Sequence, residues 1–311
     1  MPAPSIFLRN GGGHQAQMPM FLGRIFFVAP AASYSIGGQS YSASDNNDGL
    51  VPERALRTVS QAMTNCAANR GDIICLLPGD HTATASIAAS KAGVRITGMP
   101  GLTGRQNGSD TSLTISATDQ IINVTAADVE IAHLRLIPIT TQAAIDYSAA
   151  AHRLHVHDCY FDMETPAANA GTIGLDALGA AQGILVQNCQ FVSDGAQGPG
   201  IDITATINAV VDSCRFLGTA GTWAAAISCG AATSGAFINW CEFNTFGTAM
   251  TVGIDGTGAT IARGVAVNYC TFGNLVTVGI DNFDANEATL NECYKMGVGA
   301  TDGGTKLTAI T

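Results

Sequence analysis

Val186-Gln187-Asn188-Cys189-Gln190-Phe191 is followed by Val211-Asp212-Ser213-Cys214-Arg215-Phe216 and then by Ile238-Asn239-Trp240-Cys241-Glu242-Phe243. An aliphatic residue stands three before each cysteine and a phenylalanine two after it. The same frame holds Val156/Cys159/Phe161 and Val267/Cys270/Phe272, and Leu290/Cys293 keeps its first half. Successive cysteines are 30, 25, 27, 29 and 23 residues apart. That period is too short for a domain and too long for one helix or strand, so each copy is one supersecondary unit of a solenoid.

Helical repeats of this length need two amphipathic stretches per unit. Between Cys159 and Cys293 there are only short Ile/Val runs broken by Gly, Asn, Asp and Thr, which reads as strands and turns. On one flat strand Cys and Phe share a face while the aliphatic residue faces away, so the chain bends between them. The residue two before each cysteine is polar throughout: His157, Gln187, Asp212, Asn239, Asn268 and Asn291. These are assigned to the bend, where stacked side chains satisfy one another, with Asn239, Asn268 and Asn291 forming an asparagine ladder.

A second row keeps step with the first. Asp146, Asp176, Asp202, Asp255 and Asp281 each follow an aliphatic residue, and Ser228 fills the missing rung. The aliphatic neighbours Ile145, Leu175, Ile201, Ile227, Ile254 and Ile280 are expected inside and the acidic row outside. Earlier coils trace through Val94/Ile96, Leu113/Ile115 and Ile131/Leu134/Leu136, giving roughly eight coils about 4.8 Å apart. Pro52 to Asn69, with Leu56, Val59, Met63 and Cys66 at helical spacing, is expected to form a helix that caps the first coil. The expected divisions are an amino-terminal arm over 1–44, capping helix and first strands over 45–93, solenoid over 94–295 and tail over 296–311. Arg24-Ile25-Phe26-Phe27-Val28 reads as a strand that either leaves the rod or runs along it as an extra edge.

Asp45-Asn46-Asn47-Asp48-Gly49-Leu50, Pro52-Glu53, Gly71-Asp72 and Leu77-Pro78-Gly79, together with the Cys-x-Phe rungs, resemble the right-handed parallel β-helix proteins of the pectate-lyase-like superfamily. The resemblance covers about residues 45 to 295. It implies an all-β fold, a right-handed parallel β-helix with an N-terminal capping α-helix. It says little about activity, because the fold hosts lyases, hydrolases, adhesins and viral structural proteins.

Composition narrows the field. The net charge is −10 and only 12% of residues are charged, which argues against nucleic acid or an anionic membrane as partner. No run is long and apolar enough to span a bilayer. Cys159, Cys189, Cys214, Cys241, Cys270 and Cys293 occupy one interior row and are read as free thiols. The first ten residues do not have the pattern of a secretory signal, so synthesis and folding in a host cytoplasm are expected.

β-helix lyases, as the resemblance implies, use carboxylates on calcium together with Arg or Lys. Asp146, Asp176 and Asp202, or Asp255 and Asp281, are the weak metal candidates here; the alternative is that each turns into its own corner and accepts backbone N–H groups. Hydrolases of this fold carry Asn-Thr-Asp, Asp-Asp, Gly-His-Gly and Arg-x-Lys strings, none of which occurs, so no catalytic residue and no cofactor is assigned. A carboxylate pair at glycosidase spacing remains open across rungs. His152, His155, His157 and Asp158 form a dense cluster, with His155 and His157 on one strand face. Arg215 aligns with Glu242 as a surface ion pair. Trp240 and Tyr269 share one position on neighbouring rungs and are the candidates for an interface or a sugar-stacking platform, unless a loop such as that of Trp223 covers them.

The expected function is a non-enzymatic bacteriophage virion protein, a capsid decoration (cement) protein whose partners are further copies of itself and the major capsid or another virion protein; that it is a trimer is what the resemblance to phage β-helix proteins implies. The alternative is a tailspike-like protein that binds or degrades a polysaccharide. The discriminator is whether carboxylates and aromatics share one cleft.

Overall fold

The computed structural model describes residues 23–99, 111–139, 141–148, 151–164, 172–177, 181–194, 198–219, 223–230, 232–246, 250–256, 264–273, 276–281, 288–296 and 305–306. Three long sheets of 10, 10 and 8 strands run along the rod, built from one parallel strand per coil, with Thr305–Lys306 added antiparallel to Tyr294–Lys295 at the end of the second. One coil shows the plan: Leu185–Gln187 lies in the first sheet, Gln190–Ser193 in the second and Ile201–Asp202 in the third, before Val210–Asp212 starts the next coil in the first sheet. This is the right-handed parallel β-helix, the hand that crossovers between parallel strands adopt.

The periodic rows stand in register. Val156, Val186, Val211, Ile238, Val267 and Leu290 are successive partners in the first sheet. Phe161, Phe191, Phe216, Phe243 and Phe272 are partners in the second. All five rings are fully buried and stack with centroids 4.3, 5.0, 5.0 and 4.8 Å apart. The six row cysteines are free and buried. Each thiol donates to the carbonyl two residues earlier and to one in the preceding coil, as Cys214 does to Asp212 (3.4 Å) and Val186 (3.6 Å). Burial and adjacent thiols push Cys189 and Cys241 well above the ordinary thiol range.

The bend lies one residue later than expected. His157, Gln187, Asp212, Asn239, Asn268 and Asn291 are the last residues of first-sheet strands. The corner is the single residue before the cysteine, or before Leu134 in the coil that lacks one: His133, Asp158, Asn188, Ser213, Trp240, Tyr269 and Glu292 all have φ between 50° and 56°. One left-handed residue redirects the chain, so the aliphatic side chain before it and the Phe after it both point inward. Of the expected asparagine ladder, Asn268 Nδ2 donates to Asn239 Oδ1 at 2.8 Å.

Gly174, Gly200 and Gly253, which precede the aliphatic residues of the third sheet, make room for the next coil's Phe. A Cβ on Gly253 would meet the Phe272 ring at 2.6 Å and the Gly279 carbonyl at 2.7 Å, and one on Gly174 would meet Phe191 at 2.9 Å.

At the amino end the expected Pro52 to Asn69 helix is shorter. A 3-10 turn spans Pro52–Arg54, and the helix is Val59–Asn65, with the Thr58 hydroxyl accepting from Gln61 N. Ala55 is extended and Leu56 bridges in parallel to Val28, which removes that stretch from the helix. Leu56, Val59, Met63 and Cys66 are nonetheless all buried, as their spacing required. Ile25–Val28 pairs in parallel with Ile73–Leu76, so this segment follows the rod as its outermost strand. The first sheet therefore has ten strands where roughly eight coils were expected. Residues 1–22 lie outside those described. The buried Asp72 carboxylate ties this end together: Arg24 N, Ala67 N and both arms of Arg70 converge on it at 2.8 Å or less. Those bonds hold it below the ordinary carboxylate range against the opposing effect of burial.

Candidate functional site

The outward edge between the first and second sheets carries most of the side chains that could meet another molecule. Its corner residues sit in the left-handed region, which Asn, Asp, Ser and His tolerate and bulky residues do not. Trp240 (φ 55°), Tyr269 (φ 56°) and Glu292 (φ 50°) depart from that set, the first two with large aromatic rings. Both are exposed, at 60% and 40%, and Phe237, three residues before Trp240, is 48% exposed. No loop covers the pair among the described residues; Trp223 is instead buried, with its indole N–H donating to the Gly198 carbonyl.

The rings of Trp240 and Tyr269 lie 4.3 Å apart at 11°. Near-parallel rings at that separation meet face to face, so each spends one face on the other. Such a pair is a poor flat platform for a sugar ring laid across both, and a good apolar anchor for a protein surface. Beside it run the polar side chains Asn239 and Asn268 on the first sheet and the Arg215–Glu242 ion pair (2.9 Å) on the second. That pair was expected from its alignment and stands largely in solvent.

Toward the amino end the same edge becomes ionic. Glu130 is the register partner of both Arg95 and His155, and the Arg95 guanidinium bonds its Oε1. His157 reaches Glu130 Oε1 with Nε2 and Asp158 Oδ2 with Nδ1, both at 2.7 Å. Glu130 is held below the ordinary range by these bonds, against burial, which acts to raise it. The sequence reading missed Glu130 and Arg95. Aligning Leu134 with Cys159 and counting back would have placed Glu130 beside His155. His152 stays apart from this cluster, in a bridge with Gln182.

The acidic row lies on the third sheet. Asp146, Asp176 and Asp202 are consecutive register partners, Ser228 follows, and Asp255 pairs with Asp281. Asp202 accepts from Thr204 N at 2.9 Å, the local turn that sequence allowed. Among the described residues no donor reaches Asp146 or Asp176. Burial, with Asp119 adding, pushes Asp146 up to about 6. Burial, then Asp202 and Asp146, pushes Asp176 up to about 7. These carboxylates are half-buried rather than fully solvated. They do not converge as a cation would require: among the described residues, the groups whose ligand atoms gather within 4.8 Å are Glu130/His155/His157 and His133/His157/Asp158. The carboxylate row and the aromatic corner occupy different places around the coil.

Neither a family model nor a curated protein sequence matches this chain. Solved structures do. Pectin methylesterase from carrot superposes with a TM-score of 0.59 at 11% identity, over 93% of this chain and 87% of its own. The pectin methylesterase of Aspergillus niger gives 0.54 at 13% over 92% and 91%, and PemA of Erwinia chrysanthemi 0.53 at 9% over 91% and 92%. At such identities the likeness is one of fold alone: a right-handed parallel β-helix.

Proposed function

We propose that this chain is a non-enzymatic bacteriophage virion protein, a capsid decoration β-helix that assembles as a trimer through the corner bearing Phe237, Trp240 and Tyr269. The observation that carries the reading is the pair of bulky aromatics held in a left-handed backbone that the other rungs fill with Asn, Asp, Ser, His or Glu. Strained residues persist where function requires them, and exposed Trp and Tyr are the residue types that anchor protein interfaces. Rings stacked on each other present no shared flat face, which suits packing between proteins better than stacking on a sugar. The free, buried thiols support folding in a reducing compartment such as a host cytoplasm, and the low surface charge supports permanent contact between copies.

The test is the mass of the purified chain by sedimentation. Three chain masses for the wild type and one for Trp240→Ala/Tyr269→Ala support the proposal; a monomeric wild type overturns the assembly. Cryo-electron microscopy of the particle that carries the chain tests its place, and density on the tail instead of the head shell overturns the decoration role.

A second reading, action on a polysaccharide, draws on Asp146 and Asp176. Two adjacent carboxylates near 6 and 7 divide into an acid and a base close to neutral pH, and the structural neighbours include enzymes named for pectin. Release of methanol or reducing ends from pectin, lost in Asp176→Asn, would establish it. No release by the wild type would remove it.

A further inference from the structure

The ionic part of the edge points to a function independent of assembly. We infer that Glu130, His155 and His157 form a binding site for a divalent transition ion of the zinc class.

Three observations carry this. The ligand atoms of the three residues already lie within 4.8 Å of one another, from two adjacent strands of a rigid parallel sheet. Tetrahedral zinc with bonds of about 2.0–2.2 Å needs its ligands roughly 3.3 Å apart, so these atoms have at most about 1.5 Å to close. Two histidines and one carboxylate are also a donor set that this ion takes, with a fourth position left for water or another ligand.

The second observation is the setting of His157. Its Nδ1 lies 2.7 Å from Asp158 Oδ2, and its Nε2 lies 2.7 Å from Glu130 Oε1. The Asp158 contact is the orienting carboxylate–histidine bond found behind metal-bound imidazoles. The Glu130 contact is where an ion enters: the Nε2 lone pair and a Glu130 oxygen bind the cation, any proton between them leaves to solvent, and nothing is oxidised or reduced.

The third is how the rings are packed. His155 lies 4.4 Å from the His157 ring at 33°, and His133 meets His157 edge-on at 5.6 Å and 81°. Three imidazoles from neighbouring coils thus gather at one point of the surface. His155 Nε2 is held by Gln187 Oε1 at 3.2 Å, an exchangeable neutral contact. The group that opposes a cation is Arg95, whose guanidinium shares Glu130. It stands as a built-in competitor that the ion displaces from one carboxylate oxygen.

The experiment is calorimetric titration of the full-length protein with Zn2+ alone, paired with the visible spectrum of the Co2+ form. The expected result is one ion per chain and the intense absorption of four-coordinate cobalt. His155→Ala and His157→Ala should lose that site, Asp158→Asn should weaken it by about tenfold, and His152→Ala should leave it unchanged. Arg95→Gln should bind more tightly, an outcome that a merely structural role for the cluster does not produce. Thermal melts in the absence of metal confirm that each variant is folded. Equal affinity in wild type and His155→Ala, or a loss of the site in Arg95→Gln and His152→Ala alike, would overturn the inference.

Discussion

Replacing Phe216 by Ala should cost about 4 to 5 kcal/mol, near the upper end for a buried Phe. The ring is fully buried. Phe191 and Phe243 stack on its two faces at 5.0 Å each, and Trp223 approaches at 6.2 Å. Each aromatic pair lost adds about 0.5 to 1.5 kcal/mol to the loss of buried area. The neighbouring rings cannot close the gap, because Phe191 is itself stacked on Phe161 and Phe243 on Phe272, and every one stands on a strand locked in register. Urea unfolding followed by circular dichroism, with Asp202→Asn as the comparison, is the assay. Asn at 202 keeps the acceptor for Thr204 N and removes a charge next to Asp176, so its change should stay within about 0.5 kcal/mol. Equal losses in the two variants, or a loss below about 1 kcal/mol for Phe216→Ala, would refute the assignment of an inward stack and an outward carboxylate.

Gly253→Ala should lower stability by about 1 to 3 kcal/mol through overpacking against Phe272 and the Gly279 carbonyl, seen as a shifted denaturation midpoint. Asp72→Asn should cost about 3 kcal/mol by leaving Arg70 and two backbone N–H groups around a neutral amide. Because the Asp72 pKa is depressed in the fold, its contribution is present above the unfolded carboxylate value and is lost as pH falls through the lower folded one. Asp176 has the opposite sign: raised to about 7, it favours the fold below the unfolded value near 4 and loses that contribution as pH rises through about 7. Asp176→Asn should therefore flatten the decline in melting temperature between pH 5 and pH 8, by on the order of 1 to 2 kcal/mol after solvent screening. An unchanged slope would contradict it.

The interior was legible because it is periodic. Cysteine, phenylalanine and aliphatic rows repeat at one step per coil, and a core that must be filled the same way at every level writes itself into the chain. The corner was misplaced by one residue for a physical reason: a left-handed position accepts many polar residues, and Trp240 and Tyr269 carry no local sign of the backbone they occupy. The helix was overextended because Leu56 fits a helical spacing equally well while pairing with Val28 in extended form. Arg95 and Glu130 escaped because their partners are lateral, and their coils lack the cysteine that set the frame. The aspartates were aligned correctly, but their half-burial and raised pKa depend on surroundings that spacing alone does not specify.

The most direct test of the account exchanges both aromatic corners for the residue that their backbone favours, Trp240→Asn with Tyr269→Asn, and measures melting temperature and sedimentation mass on the same samples. Asn accepts the left-handed conformation readily, as Asn188 does two coils earlier. The double variant is expected to have an isolated chain at least as stable as the wild type and to sediment as a monomer, against the three chain masses that the proposed assembly requires of the wild type. A double variant that melts lower and sediments unchanged would show the rings to be ordinary packing, and the assembling corner would be lost with that result.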